Sequence, residues 1–360
     1  MVSVSYSHAR EHFAEIWDEL EDNREFAVIQ RRGHEDMALI PADELASLPQ
    51  VSARVLPANF DASPDEQRRM IQAYYAATGF MDAPGGELKK HRQPVPYLGG
   101  MAVFVPFLTA CALVFPLDQR FLGVLLAGTL AALLGLMDDF GAMRWSVKLA
   151  GQGVVVLVLL RADVAIDIAA LPAWANLALT AGWMLALMNA VNFLDIMDGL
   201  AASACATSAA FFLAVAVVTG SGAMASLSAA LLGSLLGYLR FSVQPARIFL
   251  GDCGSLFLGA TLGALALGLD YSRQSAWAVL APILVLGVPV FELAFTILVR
   301  VARRRAPWRG SPDHVALRLR RLGRSVPETV AILTLLGCGS GAAALWLLHG
   351  GRSPLFVGVG

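Results

Sequence analysis

Aspartates gather in this sequence at the ends of apolar stretches, beside asparagines, glycines and basic residues. The first group is Gly135-Leu136-Met137-Asp138-Asp139-Phe140, followed by Arg144 and Lys148. Adjacent carboxylates repel unless a cation or a proton neutralises them, so Asp138 and Asp139 suit metal binding or base work; a solvated loop is the plainer reading. The second group is Asn189 to Leu200, in which Asn189, Asn192, Asp195 and Asp198 recur at every third position. Along a helix end such groups drift slowly around one side and line a single cleft. In the third, Phe249-Leu250-Gly251-Asp252-Cys253-Gly254-Ser255, two glycines let a ligand approach the backbone. Asp252 beside open backbone N–H groups is then a place for a metal–diphosphate. The last is a basic loop, Arg300 to Arg324, with nine arginines around Ser311-Pro312-Asp313-His314. Arginine suits phosphate, although a basic run is also ordinary for an inner membrane loop.

The elements that must position these groups are apolar. Hydrophobic residues make up 57% of the 360, charged residues only 15%, and the mean hydropathy is +0.62. A bilayer span needs roughly 20 mostly apolar residues. Stretches near 97–117, 121–137, 145–160, 171–191, 199–219, 222–240, 254–270, 276–299 and 328–348 qualify. An ionised side chain costs roughly 2.5–3.5 kcal/mol at the centre of a span, so acids at span ends ask for a purpose. With the N-terminus inside, the inner segments hold Lys89, Lys90, Arg92, Arg144, Lys148, Arg240, Arg247 and the arginines of 300–324. The outer segments hold Arg120, Arg161, Arg273 and Arg352, so the bias is positive-inside and the acids face the cytoplasm. Cys111, Cys205, Cys253 and Cys338 have no C-x-x-C spacing and read as packing residues.

Residues 1–49 read as a small mixed unit, with strands at 2–6, 26–31 and 37–40 and a helix from about Ser7 to Glu21. Residues 50–80 are a linker and an amphipathic helix opened by Ser63-Pro64-Asp65-Glu66. The membrane domain runs from 81 to 348, and 349–360 is a tail. The expectation is an all-α polytopic membrane protein of about nine transmembrane helices with a small α+β N-terminal soluble segment.

In this order the groups resemble the polyprenyl-phosphate N-acetylhexosamine-1-phosphate transferases, the family of the bacterial GlcNAc-1-phosphate transferases and the phospho-MurNAc-pentapeptide translocase. The resemblance runs from about Asp82 to Leu348. It includes Asp82-Ala83-Pro84, then Lys89-Lys90-His91-Arg92-Gln93-Pro94-Val95-Pro96 ahead of Gly99-Gly100. It continues through Asp138-Asp139 with Lys148 and Gln152, residues 189–200, and residues 249–255. Leu88 stands where the family usually has Arg, and Ile196 replaces the first glycine of a D-G-x-D-G motif. Asp313-His314-Val315-Ala316-Leu317-Arg318 keeps one histidine of the usual D-H-x-H-H-R pattern, which carries over His314 and Arg318 alone. The family's first span is missing. Residues 1–49 resemble the N-terminal part of a Phd/YefM-type antitoxin.

The resemblance implies attack of a polyprenyl (undecaprenyl) phosphate oxygen on the β-phosphorus of a UDP-N-acetylhexosamine, releasing UMP. UDP-GlcNAc is favoured over UDP-MurNAc-pentapeptide because the triple-histidine loop is absent. The cofactor implied is Mg²⁺, with Mn²⁺ as its substitute, on Asp252 and Asp198 with help from Asp138 and Asp139. Asp138, Asp139 and His314 are the catalytic candidates. Lys89, His91, Asn189, Asn192, Asp195, Asp198 and Arg318 would bind substrate. The product would enter cell-wall or lipopolysaccharide synthesis at the bacterial inner (plasma) membrane. Residues 1–49 would serve a toxin-like partner or dimerisation, and no nucleic acid is expected for the membrane domain. The rivals are a polytopic transporter, although the acids sit at span ends without an internal repeat, and a catalytically inactive membrane-tethered interaction protein. A CDP-alcohol phosphotransferase fails at Asp198-Gly199-Leu200-Ala201-Ala202-Ser203, which lacks that signature's arginine.

Overall fold

The computed structural model describes residues 2–5, 27–30, 37–39, 81–82, 95–96 and 98–350 apart from 115–117, 142, 272–275 and 305–312. The chain divides into two units, Met1–Met81 and Asp82–Gly360. In the first, β1 (Val2–Ser5) lies parallel to β2 (Ala27–Gln30), with Val2 opposite Ala27. β2 pairs antiparallel with β3 (Met37–Leu39), Ala27 opposite Leu39. The helices expected at 7–21 and 63–75 lie outside the described residues.

The two-residue strand β4 (Met81–Asp82) falls at the division, β5 (Val95–Pro96) follows it, and the regular elements after β5 among the described residues are helices. The long helices of the second unit are α1 (Gly99–Val114), α2 (Gln119–Phe140), α3 (Trp145–Arg161), α4 (Ala173–Leu194), α5 (Leu200–Thr219), α6 (Gly222–Ser242) and α7 (Gly251–Gly268). They are followed by α8 (Ala281–Val285), α9 (Gly287–Ala302), α10 (Val315–Arg321) and α11 (Val326–Gly350).

Among the described residues, six helices are long and apolar enough to cross a membrane: α2, α4, α5, α6, α7 and α11. The bent pair Trp277–Val285 and Gly287–Ala302, which turns by 79° at Leu286, passes the same test when taken together and is either a broken seventh span or a re-entrant loop. Helices stand at all nine places where spans were expected, but α1 and α3 have only 16 and 17 residues. Among the described residues six helices, or seven with the bent pair, meet the length and composition of a span, and the expected count of about nine is not confirmed.

Local sequence sets the helix ends. Gly199 and Gly220 bracket α5 with φ of +72° and +74°, backbone that an L side chain rarely adopts. Ile196, where the resembled motif has glycine, is not among the residues with positive φ, so that replacement costs no backbone strain. α11 opens on a capping box: the Ser325 N–H donates to Glu328 Oε2 at 2.6 Å, and the Glu328 N–H donates to Ser325 Oγ at 3.3 Å.

α7 is the central helix, buried along nearly its whole length and packed against α1, α2 and α4. Its Phe257 ring meets Phe104 and Phe107 edge-on at 5.4 and 5.2 Å. Small residues make the close approaches possible: a Cβ at Gly259 would meet the α4 backbone at Met188 at 2.6 Å. Leu133, Leu157, Val217, Leu335 and Trp346 point outward, as side chains facing lipid do.

Candidate active site

The antiparallel run of helices brings the C-terminal ends of α2 and α4 to the N-terminal ends of α3 and α7, and the polar residues meet there. Lys148, in the first turn of α3, is the hub. Its Nζ lies 2.8 Å from Asp138 Oδ2 and 2.5 Å from Asp252 Oδ2. Asn192, in the last turn of α4, donates to Asp252 Oδ1 at 2.6 Å and to Ser255 Oγ at 2.9 Å. One turn earlier Asn189 donates to Gln152 Oε1 at 3.1 Å. Gln152 is 1% exposed, and its Nε2 has no hydrogen-bond partner among the described residues. Thus Lys148, only a motif member in the sequence, joins the candidates Asp138, Asp252 and Asn192 in one connected cluster, while Gln152 bonds Asn189 one turn along.

The adjacent pair Asp138 and Asp139 divides its labour. Asp138 Oδ1 accepts the Met143 N–H at 2.8 Å and the carboxylate turns toward Lys148. Asp139 faces the other way, accepting the N–H groups of Asp252 and Cys253 at 2.8 and 2.9 Å. These are unsatisfied donors of the α7 N-terminus, where a carboxylate is favoured by the helix dipole as well. The approach requires Gly135, because a Cβ there would collide with the Asp252 backbone. Two expectations change as a result. The acids lie inside the last turn of α2 and not in a loop beyond residue 137. The first-turn N–H groups of Asp252 and Cys253 are not open to a ligand's phosphate, since the chain supplies their anion itself.

The three-residue spacing holds only as far as the helix does. α4 ends at Leu194, so Asn189 and Asn192 lie on it while Asp195 caps it. Asp198 lies in the following turn and accepts the Ala246 N–H at 3.0 Å. Burial pushes the Asp195 carboxyl up to about 7, the charges of Asp252 and Asp139 add to this, and the Gly251 N–H opposes it. Among the described residues no three His, Cys, Asp or Glu side chains converge as a ready-made metal cage. Asp198 and Asp252, the expected metal pair, are held by different partners.

His314 and Arg318 belong to a second cluster on α9 and α10. His314 Nδ1 lies 2.8 Å from Glu292 Oε1, and Arg318 sits over the Phe295 ring at 4.8 Å. Phe193, between Asn192 and the α4 cap, joins the two clusters: its ring meets His314 at 6.0 Å, and Arg300 lies over it at 4.9 Å. Glu292 went unnoticed in the sequence, although a lone acid within the apolar run Gly287–Leu298 was a signal. Lys89 and His91 lie outside the described residues.

Fold and site together define a multi-pass membrane protein with a lysine-bridged carboxylate cluster where four helix ends meet. Comparison with known proteins is more specific. Residues 121–270 match the glycosyl transferase family 4 profile, and this part of the chain is a domain of that kind. It is 29% identical over 268 residues to a Bacillus subtilis (strain 168) protein named "Probable undecaprenyl-phosphate N-acetylglucosaminyl 1-phosphate transferase", covering 72% of this chain and 75% of the relative. It is 28% identical over 312 residues to decaprenyl-phosphate N-acetylglucosaminephosphotransferase of Mycolicibacterium smegmatis, covering 75% and 76%. An undecaprenyl-phosphate alpha-N-acetylglucosaminyl 1-phosphate transferase of Thermotoga maritima is 27% identical over 244 residues, covering 68% and 73%. Residues 1–70 match the Phd_YefM antitoxin profile of type II toxin–antitoxin systems. That match extends beyond residue 49 and takes in the expected linker and part of the amphipathic helix.

Proposed function

We propose that this protein transfers N-acetylhexosamine 1-phosphate from a UDP-sugar, UDP-GlcNAc in the first instance, to undecaprenyl or another polyprenyl phosphate. A lipid phosphate oxygen bonds to the β-phosphorus, the bond from that phosphorus to the bridging oxygen breaks, and UMP leaves. The reading is carried by the Lys148 bridge between Asp138 and Asp252, with Asn192 on the second carboxylate. It is a phosphate-handling arrangement at the mouth of apolar helices, in a chain whose relatives are named for this reaction.

Among the described residues the cluster sets Asp138, Asp139, Asp195, Asp198 and Asp252 against the amine of Lys148, an excess of acid that calls for a cation. Mg²⁺ commonly takes one or two carboxylates and completes its octahedron with water and phosphate oxygens, so a site without three converging side chains suits it. Asp252 is the residue that would hold it, with Asp198 as the second candidate; bound there, Mg²⁺ would neutralise charge on the diphosphate. Lys148 orients Asp252 and Asp138, and Asp138 receives or directs the lipid phosphate. Asn192 fixes the Asp252 carboxylate, and Asp139 holds the backbone that carries it. His314 and Arg318 bind phosphate from the far side of Phe193, with Lys89 and His91 as further phosphate contacts. The site faces the cytoplasm of the bacterial inner membrane, and the product enters envelope polysaccharide synthesis at its first membrane step.

The test is purified protein with Mg²⁺, undecaprenyl phosphate and a panel of UDP-sugars, scored for UMP. Release that needs both lipid phosphate and Mg²⁺ is expected. No release with any donor refutes the assignment.

A further inference from the structure

α9 is apolar except for a line of polar residues, Glu292, Thr296 and Arg300, spaced four apart and therefore on one face. All three are buried, at 2%, 0% and 1% exposure. A carboxylate in such a place demands a partner, because an isolated buried charge is costly and is otherwise neutralised. The partner here is His314, 6% exposed, whose Nδ1 lies 2.8 Å from Glu292 Oε1. The same oxygen accepts the Val315 N–H at 3.2 Å. An ionised carboxylate can only accept, so the Nδ1 position of the imidazole must carry a proton. The opposite ring nitrogen, Nε2, makes no hydrogen bond to a described residue. The ring is fixed in two further ways: it stands edge-on to Phe193, and its neighbour Asp313, 0% exposed, is tied to Arg303 at 2.5 Å.

We propose that Glu292 is a positioning residue for His314: it accepts the Nδ1–H and so fixes the direction of the ring, aiming Nε2 at a phosphate group of the substrate, to whose oxygen Nε2 donates when the ring carries its second proton. This rests on the transferase reading given above. The arginines explain the choice of ligand. Three arginines, Arg300, Arg303 and Arg318, stand here against two carboxylates, Glu292 and Asp313, so the excess of charge in the cluster favours an anion over a cation. The pattern is that of histidines whose second nitrogen is held by a carboxylate, where the held nitrogen fixes the ring and the other does the work. The arrangement also accounts for a chain that keeps one histidine in this loop. A lone imidazole can serve only if its direction is set, and Glu292 sets it through Nδ1.

The alternative is that Glu292 merely fastens the start of α10 through the Val315 N–H. Three variants of the full chain separate the two roles. Glu292→Gln keeps an acceptor oxygen for both hydrogen bonds, whereas Glu292→Ala removes it, and His314→Gln removes the ring. UMP release should fall about 10- to 100-fold in Glu292→Ala, the scale of losing a histidine's orienting partner, and should be largely restored in Glu292→Gln. The double variant Glu292→Ala/His314→Gln should be no slower than His314→Gln alone, because the two residues act as one unit. Losses that multiply in the double variant, or an unaltered rate in Glu292→Ala, overturn the proposal. ¹⁵N NMR of histidine-labelled protein gives a readout that needs no turnover. The His314 signal, assigned by its disappearance in His314→Gln, should show a protonated Nδ1 in the wild type and in Glu292→Gln, and a changed pattern in Glu292→Ala. An unprotonated Nδ1 in the wild type also overturns it. If the wild type releases no UMP from any donor, the transferase reading fails, and the NMR still decides whether Glu292 sets the ring.

Discussion

Replacing Asp139 tests whether the aspartate pair is one catalytic unit or two groups with separate tasks. In Asp139→Ala the N–H groups of Asp252 and Cys253 lose acceptors at 2.8 and 2.9 Å. A hydrogen bond to a charged group contributes about 1.5–3 kcal/mol net, and the carboxylate's interaction with the helix N-terminus adds about 0.3–1 kcal/mol. The loss is therefore about 3–7 kcal/mol if no water enters, and less if one does. Asp139→Asn keeps one oxygen for one N–H but points an amide N–H at the other, so about half of the loss or more should remain. Both variants should melt several degrees lower in detergent. Because Asp252 rides on the released backbone, a shift of about 1 Å should cost turnover about 100-fold. Asp138→Asn is the control: it keeps an oxygen for the Met143 N–H and touches no backbone of α7. It should lose turnover by about 100-fold or more as an acid–base group with a smaller change in melting temperature. The assay is UMP release beside a thermal-shift measurement on the same preparations. If Asp139→Asn melts like the wild type and yet is inactive, Asp139 takes part in chemistry and the holding role is wrong. If it melts and turns over like the wild type, the bonds to α7 contribute nothing.

Other outcomes follow from the same geometry. Chelation of divalent cations should stop UMP release and re-added Mg²⁺ or Mn²⁺ should restore it, while Asp252→Asn should be inactive at any Mg²⁺ concentration; normal turnover in that variant would remove the metal from Asp252. Lys148→Gln leaves Asp138 and Asp252 without their shared cation, so its melting temperature should fall and partly recover on adding Mg²⁺, a recovery that would not occur if the lysine only packs. A cysteine introduced at Ser52 should react with an impermeant reagent from the cytoplasmic side of sealed vesicles, and reaction only from the other side would reverse the topology. A chain cut just before Phe80 should still release UMP, unless the segment before it has become part of the membrane domain.

The clusters were legible because lipid makes charge expensive. An acid at the end of an apolar run, or next to another acid, stands out without any knowledge of the fold, and Asp138, Asp139, Asn192 and Asp252 meet through helices whose ends the same apolar runs define. Their division of labour was not legible. Which of two adjacent aspartates faces Lys148 and which faces the α7 backbone depends on the rotation of α2 and on the close approach at Gly135, and neither is written in local sequence. Asp198 is the reverse case: a three-residue spacing carries meaning only while the helix continues, and α4 stops at Leu194. Glu292 shows a third limit. The rule that exposed the aspartates applied to it equally, but its partner lies 22 residues away in sequence, beyond a loop, so the acid could be flagged and not explained.

The two clusters also differ in what a substrate would have to supply. Around Asp252 the chain already caps its own helix terminus and already bridges Asp138 and Asp252 through Lys148. A diphosphate entering there must bring, or share, positive charge to be tolerated beside five aspartates, and so metal and nucleotide should bind together and not in either order. Beyond Phe193 the balance is reversed, because Arg300, Arg303 and Arg318 gather about Asp313, Glu292 and His314. In the proposed reaction an acceptor and a donor of like charge would be held by different kinds of cation, and Phe193, which touches both His314 and Arg300, stands where the two clusters meet.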